Sequence, residues 1–218
     1  MHSKEIETYK KSLKLTKRQR DIIVGTLLGD GHLETQNNGR TYRLKVEHSV
    51  RQKEYVDWLF NELRDWVHKD ARMRVRQPAF PERKTSKEAI HYEFATYSHD
   101  AFRFYAHQFY LGKEKHIPKM IAKLLSPLSL AVWFMDDGSW KSNKHKTFIF
   151  HTLGFEKREL EILSKALKTK FGIEARLHKQ KQRYWRLYVT SESAPILKRY
   201  IEPFIQEVPS MMYKLGNI

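Results

Sequence analysis

The chain carries one plan twice, and that repetition restricts its possible folds more than any other feature. Residues 15–31 read LTKRQRDIIVGTLLGDG. Thr16 suits an N-cap, and Gln19, three residues on, completes a capping-box pattern. The apolar residues Ile22, Ile23, Val24, Leu27 and Leu28 occupy much of the helix circumference, which predicts a largely buried helix with Gly31 as its C-terminal cap. Residues 126–138, SPLSLAVWFMDDG, repeat the arrangement, with Ser126 as N-cap, Pro127 at the first helical position, an apolar body and Asp137 before a glycine. Each half therefore has a buried helix that ends on an acid, Asp30 or Asp137.

The segments after each helix also correspond. After the first come TYRLKVEH (41–48), EYVDWLFNELRDWV (54–67), ARMRVRQ (71–77), HYEFATYS (91–98) and DAFRFYAHQFYLG (100–112). After the second come KTFIFHTL (146–153), KRELEILSKALKTKFG (157–172), EARLHKQ (174–180), RYWRLYVT (183–190) and a helix around 196–207. Both read helix, strand, helix, two strands, helix, an α+β pattern. Residues 78–90 predict a longer loop than the turn at 181–183, and variation of that kind belongs in loops.

The strands alternate. Tyr42, Leu44 and Val46 alternate with Arg43, Lys45 and Glu47, and Met73 and Val75 with Arg72, Arg74 and Arg76, so one face reads as core and the other as basic. The second half does this less cleanly, setting Ala175 and Leu177 against Arg176, His178 and Gln180, and Trp185 and Leu187 against Arg186 and Tyr188. A polar sheet face is ordinarily just solvated. Adjacent arginines repel, however, unless an anion meets them, and a twisted antiparallel ribbon fits the DNA major groove. The candidate contacts are Arg43, Lys45, Arg72, Arg74, Arg76, Arg176, His178, Arg183 and Arg186.

Composition agrees with a polyanionic partner. Among 218 residues, 41 Lys and Arg outnumber 25 Asp and Glu, a formal charge of +16. No apolar run approaches the ~20 residues that span a bilayer, and the polar start MHSKEIETYKKSLK lacks the apolar core of a signal peptide, so no membrane partner is expected. The absence of cysteine leaves oxygen or imidazole as metal ligands. The 11 histidines include no HxxxH pair, which disfavours a zinc nuclease. Only 5 asparagines accompany 25 lysines, which leans toward the cytoplasm of a bacterial or archaeal source over an AT-rich organellar gene.

A carboxylate at a helix C-terminus faces the negative end of the macrodipole, a cost of about 0.3–1 kcal/mol that a cation reverses. Carboxylate and carbonyl oxygens together suit Mg²⁺, with Mn²⁺ as a substitute. Either GDG or DDG alone reads as a polar helix-end turn. Their recurrence in matching contexts favours a functional pair, and the small Gly25, Gly29 and Ala131 permit the two helices to pack side by side.

IVGTLLGDG (23–31) and LAVWFMDDG (130–138) resemble the paired motifs of LAGLIDADG homing endonucleases, and GRTYRLKVEH, KHIP (115–118), SPLSLAVWFMDDG and PSMMYKLGN extend the likeness over residues 15–217. The resemblance implies two pseudo-symmetric αββαββα-type halves, each a curved antiparallel sheet with helices, packed through the motif helices into a DNA-binding saddle. It divides the chain into an N-terminal extension (1–14), a first half (15–115), a connection (116–125) and a second half (126–218). Asp30 and Asp137 would bind metal beside the scissile phosphates, helped by the carbonyls of Gly29 and Asp136. Lys115 and Lys214 would be the basic residues of the two sites, and Glu47 and His151 would lie near the waters around the metal. The implied activity is a magnesium-dependent double-strand break in a long asymmetric DNA site, made by a monomer for intron or intein mobility. The alternatives are an RNA maturase acting on its host intron RNA, and a catalytically inactive DNA-binding regulator.

Overall fold

The computed structural model describes residues 4–76, 89–181 and 183–216. Helix α1 (Lys4–Ser12) precedes the repeat, and the first half then runs α2 (Lys17–Leu28), β1 (His32–Glu34), β2 (Arg43–Ser49), α3 (Lys53–Glu62), β3 (Arg72–Arg76), β4 (Ala89–Ala95) and α4 (Arg103–Phe109). A short hairpin, β5 (Tyr110–Leu111) and β6 (Glu114–Lys115), and helix α5 (Ile121–Leu124) lead onward. The second half is α6 (Pro127–Asp137), β7 (Gly138–Trp140), β8 (Phe148–Phe150), α7 (Lys157–Phe171), β9 (Ala175–Gln180), β10 (Tyr184–Val189) and α8 (Ala194–Ile205), followed by a 3-10 helix over Pro209–Leu215.

Both halves are αββαββα, and their sheets share one antiparallel order, β1-β2-β4-β3 and β7-β8-β10-β9. The residue pattern alone missed β1 and β7, because three residues are too few to show alternation. The predicted helix 54–67 ends early: α3 stops at Glu62 and gives way to a 3-10 turn over Arg64–Trp66. The contrast between loops 78–90 and 181–183 lies largely outside the described residues.

The two caps form as read. Gln19 N donates to Thr16 Oγ1 and Thr16 N to Gln19 Oε1, both at 3.1 Å. Ser126 and Ser129 exchange the equivalent pair at 2.7 and 3.1 Å. The predicted Gly31 cap does not take the left-handed form, since Gly31 has no positive φ. Gly138 is extended at φ −78°, ψ 151°, so the chain runs from α6 straight into β7. Its lack of a side chain serves packing instead, because a Cβ there would collide with the Phe134 ring.

The chain forms two compact units, Met1–Gln19 with Asp30–Arg103, and Arg20–Gly29 with Phe104–Ile218. In the first, Leu44, Val46, Tyr55, Val56, Leu59, Leu63 and Phe102 are fully buried behind the sheet. The Trp66 indole donates to Gln19 Oε1 (3.2 Å), and Gln19 donates to the Glu62 carbonyl (3.0 Å). Helix α1 docks here through Tyr9, whose hydroxyl donates to the Asp65 carbonyl at 2.9 Å. The apolar face of β3 is not core as predicted: Met73 is 67% and Val75 53% exposed, because they pair with Tyr92 and Ile90 toward the outer end of the β3–β4 hairpin.

In the second unit, α6 is buried from Leu128 to Asp136, with Trp133 stacked on Phe150 at 3.9 Å and Phe134 edge-on to Phe148 at 5.2 Å. The Arg20–Gly29 segment lies directly against α6. A Cβ on Gly25 would sit 2.5 Å from the Ser129 carbonyl oxygen and 2.6 Å from Val132 Cβ, and one on Gly29 would overlap the Asp136 side chain. Backbone cannot yield as a flexible side-chain tip can. Gly25→Ala should therefore destabilise the protein by about 2 kcal/mol or more in urea unfolding, and an unchanged midpoint would contradict this packing.

Candidate functional site

In the first unit the chain leaves α2 and places Asp30 at the rim of a cleft of ≈ 360 Å³ formed with His32, Glu47, His48, Ser49, Gln52 and His91. The Asp30 side chain is 54% exposed, and its Oδ2 lies 3.6 Å from Nδ1 of His48, which is buried. His48 continues the core-facing register of Leu44 and Val46, and its ring packs edge-on to Tyr55 at 5.2 Å. Glu47 points to the opposite sheet face, where Lys45 Nζ and His91 Nδ1 each approach it at 3.2 Å. Asp30 and Glu47 thus share one cleft. The two histidines were missed by sequence reasoning, although a histidine in an apolar alternation is a visible signal.

In the second unit both helix ends meet an ammonium. Lys115 Nζ, on β6, donates to the Gly29 carbonyl at 2.7 Å. Lys214 Nζ, buried in the C-terminal 3-10 helix, donates to the carbonyls of Met135 (2.5 Å) and Asp136 (2.9 Å). These cations offset the negative ends of the two helix dipoles. Asp136 and Asp137 line a cleft of ≈ 480 Å³ with Ser139, Trp140, His151, Tyr213 and Lys214. Asp136 is buried and Asp137 half-buried. His151 N donates to the Asp137 carbonyl at 3.0 Å, and its Nε2 lies 2.9 Å from Ser139 Oγ.

The basic faces differ between the sheets. On the first, the protein supplies its own anions: Glu34 binds Arg43 at 2.7 Å, and Glu93 binds Arg72 at 3.1 Å and lies 3.6 Å from Arg74 and 3.4 Å from Lys45. The repulsion between neighbouring arginines is therefore answered within the fold, and it no longer argues for an external anion on that sheet. The Arg76 side chain lies outside the described part. On the second sheet, among the described residues, no carboxylate approaches Arg176, His178, Arg183 or Arg186 within 4 Å. There His178 and Lys141 lie against the Tyr188 ring at 4.4 and 4.9 Å.

Comparison with known proteins adds a consistent context. The family model described as LAGLIDADG DNA endonuclease family matches residues 20–197. The cytochrome b mRNA maturase bI2 of Saccharomyces cerevisiae is 31% identical over 90% of this chain, which spans 47% of that protein's length. The DNA endonuclease I-ChuI of Chlamydomonas applanata is 29% identical over 94% of this chain and 97% of its own. The solved structure of the homing endonuclease I-WcaI bound to its DNA recognition sequence is 28% identical, with a TM-score of 0.88 over 100% of this chain and 95% of that one. The organisms of these relatives do not support the leaning to a bacterial or archaeal source.

Burial, then the positive charges of Arg186 and Lys214, hold the His151 imidazole below its ordinary value of 6.5. An unfolded chain takes up this proton near 6.5, whereas the folded one does so only at lower pH. The contribution is neutral well above 6.5 and destabilising as pH falls through it. His151→Gln should flatten the loss of stability between about pH 7 and 5 in urea titrations. Identical slopes for both proteins would show that the imidazole is not held in this way.

Proposed function

Because the chain belongs to the LAGLIDADG DNA endonuclease family, we propose that it is a site-specific homing endonuclease making a Mg²⁺-dependent double-strand break, with Mn²⁺ as a substitute ion. One observation carries the reading. An acid recurs at the end of each motif helix, before sheets of identical strand order, with a lysine on the adjoining helix-end carbonyls. The whole-chain likeness to I-WcaI, solved with its DNA recognition sequence, supports duplex DNA as the partner. Two acids in one chain suit a monomer, and two diverged halves suit an asymmetric target.

The donor set suits a hard dication. Asp30 and Asp137 directly follow Gly29 and Asp136 in the chain, and the carbonyls of those two residues already attract ammonium groups. When bound, the ion would supply polarisation of a phosphate oxygen and activation of a water for in-line attack. Asp30 and Asp137 would hold it, one for each strand. Lys115 and Lys214 would fix the helix-end carbonyls and place positive charge where the phosphorane becomes negative. His151, neutral at pH 7, offers a ring nitrogen that can take a proton, while Glu47, steadied by Lys45 and His91, would orient water in its own cleft.

The likeness to a cytochrome b mRNA maturase favours one second reading, in which host intron RNA is a further partner. The compartment follows the host DNA, and an organelle is compatible with it.

A randomised duplex library with Mg²⁺ tests the proposal. The wild type should cut both strands at one sequence, and Asp30→Asn and Asp137→Asn should each slow cleavage about a hundredfold or more. Sequence-selective binding without a cut strand would refute the nuclease reading, and selection of structured intron RNA alone would favour the maturase.

A further inference from the structure

We propose that Glu93 is a positioning residue of the duplex-reading surface, presetting Lys45, Arg72 and Arg74 so that the first sheet discriminates among bases; the inference rests on the DNA-binding reading above. Glu93 lies on β4, an inner strand, opposite Glu47 on β2 and Arg72 on β3. It is 3% exposed, yet it belongs to the polar face. Its Oε1 accepts from Arg72 Nε at 3.2 Å and Nη2 at 3.1 Å, while Oε2 lies 3.4 Å from Lys45 Nζ and 3.6 Å from Arg74 Nη1. One carboxylate therefore gathers three cations from two strands.

The arginines held in this way still face outward, with side-chain exposures of 73% for Arg72 and 52% for Arg74. A guanidinium has five donors. Glu93 takes two from Arg72 and leaves the others available, with the side chain already ordered. Ordered guanidinium forks suit bidentate contact with a guanine edge, whereas a mobile cation serves phosphate attraction equally well. A buried carboxylate on a surface that only attracted phosphate would oppose its function. The second sheet supplies the contrast, since among the described residues Arg176, His178 and Arg186 have no carboxylate within 4 Å. The two sheets then divide the work, with the first weighted to base reading and the second to electrostatic attraction.

The test is Glu93→Gln, which keeps size but removes the charge. Binding is measured by competition between the selected duplex, single-base variants across it and a scrambled duplex, alongside thermal unfolding. The variant should bind scrambled duplex as well as or better than the wild type, with a steeper salt dependence, because one opposing charge is gone. Discrimination should fall about tenfold at base pairs under one half of the site and stay unchanged under the other. Retained discrimination throughout, or an equal fall in both halves, would overturn the proposal, the second outcome marking general loosening. Should Glu93→Gln fail to fold, Glu93→Asp keeps the charge but retracts the carboxylate. It should lose discrimination without gaining affinity for scrambled duplex, and unchanged discrimination there would overturn the proposal equally. A wild type that selects no duplex overturns the DNA-binding reading itself, and that result appears before any variant is made.

Discussion

The close approach of the Arg20–Gly29 segment to α6 is the contact on which the functional architecture rests. Gly25 and Gly29 are four residues apart, hence on one helix face, and both stand where any side chain would strike α6. Close packing of two apolar helices fixes where each ends. At those ends Lys115 donates to the carbonyl of Gly29, and Lys214 donates to those of Met135 and Asp136. An ammonium at a helix C-terminus is stabilising, whereas a carboxylate there is not. The lysines therefore make it affordable to keep Asp136 and Asp137 at the end of α6, the second of them facing an open cleft.

The duplicated sheets solve one electrostatic problem in two ways. A surface of +16 net charge has to hold its cations apart or neutralise them. The first sheet neutralises internally, through Glu34, Glu47 and Glu93. The second, among the described residues, keeps carboxylates more than 4 Å from Arg176, His178, Arg183 and Arg186 and sets Lys141 and His178 against Tyr188. The clefts near the two acids have diverged in the same manner. Glu47 and two histidines accompany Asp30, while Ser139, His151 and Lys214 accompany Asp137. Equivalent topology has thus been kept while the local chemistry has parted.

Much of this was legible in the residues. The capping box at Thr16, the N-cap at Ser126, the apolar helix bodies and the period-two strands are local signals, and each appears where the pattern placed it. Features that depend on partners distant in sequence were not legible. Nothing in HYEFATYS shows that Glu93 will face Arg72, Arg74 and Lys45, because that depends on the register of three strands. Met73 and Val75 alternate correctly, yet they lie beyond the core, and alternation carries no information about where a core ends. Gly31 looked like a helix cap but has no positive φ, and the need for glycine at 138, set by the Phe134 ring, was not visible. Lys115 and Lys214 could not be chosen among 25 lysines by spacing, and the family resemblance alone singled them out.

On the proposed function, Asp30 and Asp137 should each hold a divalent ion when the protein is bound to DNA. Anomalous diffraction from crystals of the protein with its selected duplex and Mn²⁺ tests this most directly. Anomalous peaks are expected at coordination distance from the carboxylates of both Asp30 and Asp137. Well-ordered DNA with no peak at either carboxylate, or peaks held by other residues, would contradict it.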